Sequence, residues 1–78
     1  MYTWIKVLET GREIEFEYAN KVYFIGSYDE GRCIFDNKNE SITTYYNDVD
    51  LFLSNSKIND IFFKQLIEDG YIKIITIF

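Results

Sequence analysis

The chain has 78 residues, thirteen carboxylates against eight Lys and Arg, a net charge of −5, one cysteine and no histidine. That length suits a single domain, residues 1–78, and the acidic balance argues against nucleic acid and against anionic membranes, both of which select Lys and Arg. Without histidine the usual general base and the commonest metal ligand are missing, and a lone cysteine permits neither an internal disulfide nor a Cys–His pair.

A domain this small must build a dense core. Seven Phe, seven Tyr, one Trp and twelve Ile supply it, with one Ala. Such aromatic and β-branched residues favour strands. There is no Pro and no Ser/Gly-rich run, so neither a linker nor a disordered tail is expected. The first residues lack the pattern of a signal peptide and no run has the length of a membrane span, which gives the expectation of a reducing, cytoplasmic setting.

In chain order, Thr3 can cap a short helix whose apolar face is Trp4, Val7 and Leu8, stopped at Gly11. Glu13 to Tyr18 alternates strictly, with Ile14, Phe16 and Tyr18 on one face and Glu13, Glu15 and Glu17 on the other. Ala19-Asn20 reads as a hairpin turn before a strand from Lys21 to Ile25. A two-residue loop puts Tyr23 and Ile25 on the apolar face, and a three-residue loop puts Val22 and Phe24 there; the pattern allows both. Asp29-Glu30-Gly31 is the next turn, Arg32 to Asp36 a third strand, and Ser41 to Tyr46 a fourth. Cys33, within an apolar run, reads as a buried structural thiol.

The period then changes. Asn47 is the expected cap of a short helix through Leu53, broken by Ser54-Asn55-Ser56, with Asp48 and Asp50 in its first turn. Asn59 is the expected cap of a second, with Ile58 and Phe63 at staple spacing, Phe62, Phe63, Leu66 and Ile67 as its stripe, and Gly70 as its stop. Tyr71 to Phe78 closes the chain as a strand, apolar on both faces except at Lys73 and Thr76. Such a run suits a central strand, or an edge covered by a partner; insertion into the sheet is expected. The fold class is α+β, an antiparallel sheet of four to five strands with two to three short helices packed on one face.

No residue set points to catalysis, a cofactor or a metal. The glutamates of the first strand lie about 6.5 Å apart, but a bare strand face offers no cleft to raise a carboxyl pKa. Asp36-Asn37-Lys38-Asn39-Glu40 fails as a calcium loop, because Lys38 occupies a ligand position and the turn Gly is missing. The tyrosines Tyr18, Tyr23, Tyr28, Tyr45 and Tyr46 serve either as core rings or as interface anchors.

The run Gly11-Arg12-Glu13-Ile14-Glu15-Phe16-Glu17-Tyr18, the turn, and Lys21-Val22-Tyr23 resemble the start of many small uncharacterised proteins of low-GC Gram-positive bacteria and their phages or mobile elements. There the hairpin precedes a short acidic helix and a second helix, where this chain has Asp48-Val49-Asp50-Leu51-Phe52-Leu53 and Lys57-Ile58-Asn59 to Ile67. The resemblance spans roughly residues 3 to 68 and departs at Ala19-Asn20, which replaces Asn-Gly. It implies a phage or mobile-element inhibitor of a host defence enzyme, in the manner of anti-CRISPR proteins, which cover a basic nucleic-acid groove. The partner-binding residues on that expectation are Glu13, Glu15, Glu17, Asp29, Glu30, Asp48 and Asp50. The alternative is a non-enzymatic assembly module that forms a homodimer, or docks on a partner, through its apolar C-terminal strand.

Overall fold

The computed structural model describes residues 1–78. In chain order it contains α1 (Tyr2–Glu9), β1 (Ile14–Tyr18), β2 (Lys21–Tyr28), β3 (Gly31–Phe35), α2 (Val49–Asn55), β4 (Lys57–Ile58), β5 (Ile61–Phe62), α3 (Phe63–Glu68) and β6 (Lys73–Ile77). Four strands form one antiparallel sheet in the order β3-β2-β1-β6, and β4 and β5 form a separate hairpin. This is an α+β fold with its helices on one face of the main sheet.

The first hairpin takes the two-residue form. Ala19 and Asn20 both adopt left-handed φ, 52° and 63°, as a type I′ turn requires. Tyr18 therefore pairs with Lys21, Phe16 with Tyr23 and Ile14 with Ile25. The register puts Ile14, Phe16, Tyr23 and Ile25 on the helix-covered face, where all four are buried.

An aromatic cluster fills the space beneath the helices. Phe16 stacks on Tyr23 at 5.4 Å and packs against Phe63 at 5.2 Å. Trp4 of α1 meets Phe16 and Phe63 edge-on, at 6.2 and 5.4 Å. Leu8, Ile34, Phe52, Leu53, Ile58 and Leu66 complete the same core. Truncating a fully buried Phe such as Phe16 to Ala costs roughly 3–5 kcal/mol in comparable cores.

Several local expectations are corrected. Thr3 does not cap α1; Met1 precedes the helix, with no side-chain cap. The α1 stop is as expected. The Arg12 N–H bonds Val7 O and the Gly11 N–H bonds Leu8 O, the paired bonds of a Schellman motif. The cap of α2 is Asp48 rather than Asn47, its carboxylate accepting from the Leu51 N–H at 3.0 Å. The helix runs through Ser54 and Asn55 before Ser56 ends it.

Ser41 to Tyr46 does not form a strand. Its strand-like pairing with β3 is limited to the isolated bridges Arg32–Tyr46 and Phe35–Ser41, with one further main-chain bond from the Ile42 N–H to Ile34 O at 2.9 Å. Between them the Thr43 hydroxyl, not a main-chain carbonyl, accepts the Ile34 N–H at 3.1 Å. That side-chain substitution lets the segment arc across the sheet instead of running beside it.

Asn59 does not cap a helix. Asn59 and Asp60 both take left-handed φ, 52° and 67°, and make the tight turn that joins β4 to β5. The helix begins four residues later, at Phe63. Phe62 consequently leaves the apolar stripe and lies half-exposed beneath Lys57, whose Nζ is 4.7 Å from the ring centroid. Phe63 and Leu66 are buried as expected. The last strand, β6, does insert into the sheet, at its edge, antiparallel to β1, with a bulge at Ile75 where Glu15 faces Thr76 and Phe16 faces Ile74.

Candidate functional site, an acidic and aromatic sheet face

All three helices pack on one side of the sheet, so the opposite face carries no helical cover. Register determines what it displays. Glu15 and Glu17 of β1 lie between Phe24 and Val22 of β2 and Thr76 and Lys73 of β6. Phe24 meets Phe78 edge-on at 5.8 Å. Tyr28 packs against Phe35 at 6.0 Å and Tyr45 at 6.1 Å. Phe78 is 58% exposed, Tyr28 50% and Tyr45 41%. Tyr28 is held in place from below: its ring lies over Gly26, where an added Cβ would come within 2.5 Å of it.

The segment after β3 screens part of this face. Cys33 is fully buried beneath it and its thiol donates to Thr43 O at 3.2 Å. The Tyr45 hydroxyl is pushed above its ordinary pKa by loss of solvent first, then by Cys33, Glu30 and Tyr28. Glu30, two residues after Tyr28 in the β2–β3 turn, lies at the margin of this aromatic group.

The seven carboxylates expected to form one partner-binding set are divided. Glu13 is spent on the sheet itself: just before β1 begins, its Oε2 accepts the Ser27 N–H at 3.1 Å. Glu15 accepts the Thr76 hydroxyl at 3.2 Å. Glu13, Glu15 and Glu17 are half-buried, not a freely solvated stripe. Asp29 and Glu30 are exposed in the β2–β3 turn. Asp48 is engaged as the α2 cap, and Asp50 is exposed in the first turn of that helix. Glu15 and Glu17, with Glu30 at the margin, therefore share a surface with the rings; Asp48 and Asp50 belong to the helical layer.

Phe24, Phe35 and Phe78 were not foreseen on this face. The sequence signal that could have found them is β2, where Val22, Phe24 and Tyr28 alternate with Tyr23 and Ile25, so both faces are apolar. Also unforeseen was Arg32, which staples three elements. Its Nε and Nη2 donate to Leu8 O at 3.0 and 2.7 Å, and its Nη1 donates to Asn47 O at 2.7 Å. The guanidinium thus satisfies a carbonyl at the C-terminal end of α1 and holds the start of α2.

No group of three Cys, Asp or Glu side chains converges closely enough to hold a metal ion, and no helix is long and apolar enough to cross a membrane. Comparison of the chain with family models, with curated proteins and with solved structures finds no match.

Proposed function

We propose that the protein is a non-enzymatic binding module whose helix-free sheet face docks on a basic surface of another protein. The observation that carries this reading is the position of Glu15 beside Phe24, whose ring meets the exposed Phe78, with Glu17 next along the same strand face. A guanidinium can stack on an aromatic ring while it pairs with a carboxylate, so such a face suits arginine. Aromatic anchors supply the buried contact, and the carboxylates steer association. A phage or mobile-element inhibitor that covers the nucleic-acid groove of a host defence enzyme, in the cytoplasm, is the role that matches this chemistry. Of the acidic residues, Glu15, Glu17 and Glu30 then meet the partner, with Asp29 beside them.

The test is a pull-down from a low-GC Gram-positive host lysate at low and high salt, with Glu17→Lys and Phe78→Ala run in parallel. A basic nucleic-acid enzyme retained at low salt, released at high salt and lost with either variant is the expected result. Retention that ignores both variants sinks the reading.

One observation favours a second reading, an assembly module. β6 leaves one main-chain edge unpaired and exposes Ile75 to 46%, and a free apolar edge is a template for a second strand. Sedimentation at micromolar concentration distinguishes it: a dimer abolished by Ile75→Lys supports assembly, and a strict monomer removes it.

A further inference from the structure

A groove of about 630 Å³ lies at the end of the sheet opposite the β2–β3 turn, adjoining the face just described at Val22. It is bounded by the start of β2, the Asp36–Glu40 turn and the β4–β5 hairpin. It exists because β3 is shorter than β2. The two strands pair only from Phe24, opposite Phe35, onward, so Lys21, Val22 and Tyr23 overhang. The chain after β3 is held away by its own turn. The Asp36 Oδ1 accepts the N–H groups of Lys38 and Glu40 at 2.9 and 3.0 Å, and the Asp36 N–H bonds Glu40 O.

Two features make this a built site and not a dent. The first is an open piece of strand edge. The type I′ turn makes Tyr18 and Lys21 a hydrogen-bonded pair, so the N–H and C=O of alternate residues, Val22, Phe24 and Gly26, point toward β3. Phe24 and Gly26 find β3 there; Val22 finds the groove, and no turn or loop bond reaches it. The second is the Tyr23 hydroxyl. This side chain is 6% exposed, fixed by its stack on Phe16 and part of the groove wall. Its hydroxyl makes no hydrogen bond within the protein and is open to the groove, free to bond what enters. Burial, then Tyr18 and Asp36, raises its pKa above the ordinary value, so it remains a donor in neutral solution.

The rim carries both signs, Lys21, Lys38 and Lys57 against Asp36, Glu40 and Asp60. That balance does not select an ion. It suits a group that offers donors and acceptors without net charge, which is what peptide main chain does. We propose that this groove receives an extended peptide segment of a partner protein, which pairs its N–H and C=O with those of Val22 and accepts a hydrogen bond from the Tyr23 hydroxyl. The segment adds a short strand to β2 where β3 stops. Because the rim is balanced, this contact is indifferent to salt, unlike one made by the acidic face.

The experiment is an NMR titration of the ¹⁵N-labelled protein with the blocked extended tripeptide N-acetyl-Val-Thr-Val N-methylamide, at low and high salt. We expect saturable shifts at Val22, Tyr23 and Asn37 at millimolar peptide, with the Val22 amide proton moving downfield as it gains a bond. The affinity should change less than about twofold with salt. Tyr23→Phe keeps the ring and its stack, which the same spectra verify, and should weaken binding about three- to tenfold, the worth of one hydrogen bond. Absence of a saturable shift at Val22 overturns the proposal, as does undiminished binding by Tyr23→Phe. Shifts at Glu15, Glu17, Phe24 and Phe78 that leave Val22 and Tyr23 unmoved and are lost at high salt also overturn it, and leave the sheet-face reading standing.

Discussion

Gly31→Ala should be among the most damaging single-methyl changes in this protein. Gly31 opens β3 with φ +123°, a left-handed conformation that L side chains rarely adopt, and strain of that kind costs on the order of 1–3 kcal/mol. The new Cβ would also come within 2.4 Å of the carbonyl C and O of Tyr46 and 2.7 Å of the Asn47 N. These are backbone atoms and cannot rotate aside, so the segment must move. Its movement endangers the paired Arg32–Tyr46 main-chain bonds, 2.8 and 3.0 Å, and the Arg32 contact with Asn47. At about 0.5–1.5 kcal/mol net for each of these three bonds, the total with the strain reaches roughly 3–7 kcal/mol. At roughly 0.05–0.15 kcal/mol per residue, a chain of 78 residues holds about 4–12 kcal/mol in all. Gly11→Ala is the control, because its φ is +77° but nothing lies within 4 Å of the added Cβ; it should lose only about 1 kcal/mol. Thermal unfolding followed by circular dichroism should separate them, with a fall of about 4–8 °C for Gly11→Ala and more than about 12 °C for Gly31→Ala. Equal losses in the two variants would refute the steric argument. So would retention of the Tyr46 and Tyr45 resonances of the parent in Gly31→Ala.

Three further outcomes follow from particular residues. Ala19 occupies a left-handed position that favours Asn, and Asn20 one that favours Gly, so Ala19→Asn with Asn20→Gly should raise stability by about 1 kcal/mol in urea titrations. Unchanged stability would mean that this hairpin is not strained. The Ser56 hydroxyl is buried without a partner, which costs about 1–3 kcal/mol of desolvation. Ser56→Ala should therefore be neutral or stabilising, and a loss of stability would reveal a bound water bridging it. Finally, burial, then Tyr18 and Asp36, holds the proton on Tyr23 above its ordinary pKa. Above the unfolded value of about 10, the unfolded chain loses this proton more readily than the folded one, so its contribution is intact below that pH and falls as pH rises through the folded pKa. Tyr23→Phe should flatten the alkaline loss of stability above about pH 10; an identical pH profile would contradict the assignment.

The face built from Glu15, Glu17 and the aromatic rings joins residues far apart in the chain. Phe24 touches Phe78, and Glu15 touches Thr76, sixty-one positions away. Only the placement of β6 beside β1 brings them together, and the last eight residues contain no local signal that names β1 as their neighbour. The run from Tyr71 to Phe78 was compatible with a central strand as well as an edge. Pairing energy alone does not distinguish these; the choice depends on which core positions the helices leave open. Likewise the groove exists because β3 ends at Phe35 while β2 begins three residues earlier in register, at Lys21.

Features that depend on neighbours a few residues apart are legible without the fold. The alternation of Glu13 to Tyr18 specified a half-buried strand, because side chains in a strand point to opposite faces in turn. Gly11 and Gly70 marked helix ends, because φ beyond +70° is costly for any residue with a Cβ. The missing histidine narrowed the available chemistry without any structure. Where two local rules competed, tertiary contact decided. Asn59 obeys the rules of a cap and of a tight turn equally well; burying Ile58 against Phe63 and Leu66 in the common core selected the turn. Thr43 and the neighbouring residues favour strands, yet the need to cover Cys33 and to carry the chain across to α2 bent them into an arc. The hairpin register was open for the same reason, since Val22 and Phe24 are as apolar as Tyr23 and Ile25. It closed only when Phe16 found Tyr23, and not Phe24, as the ring that fits beneath Trp4 and Phe63.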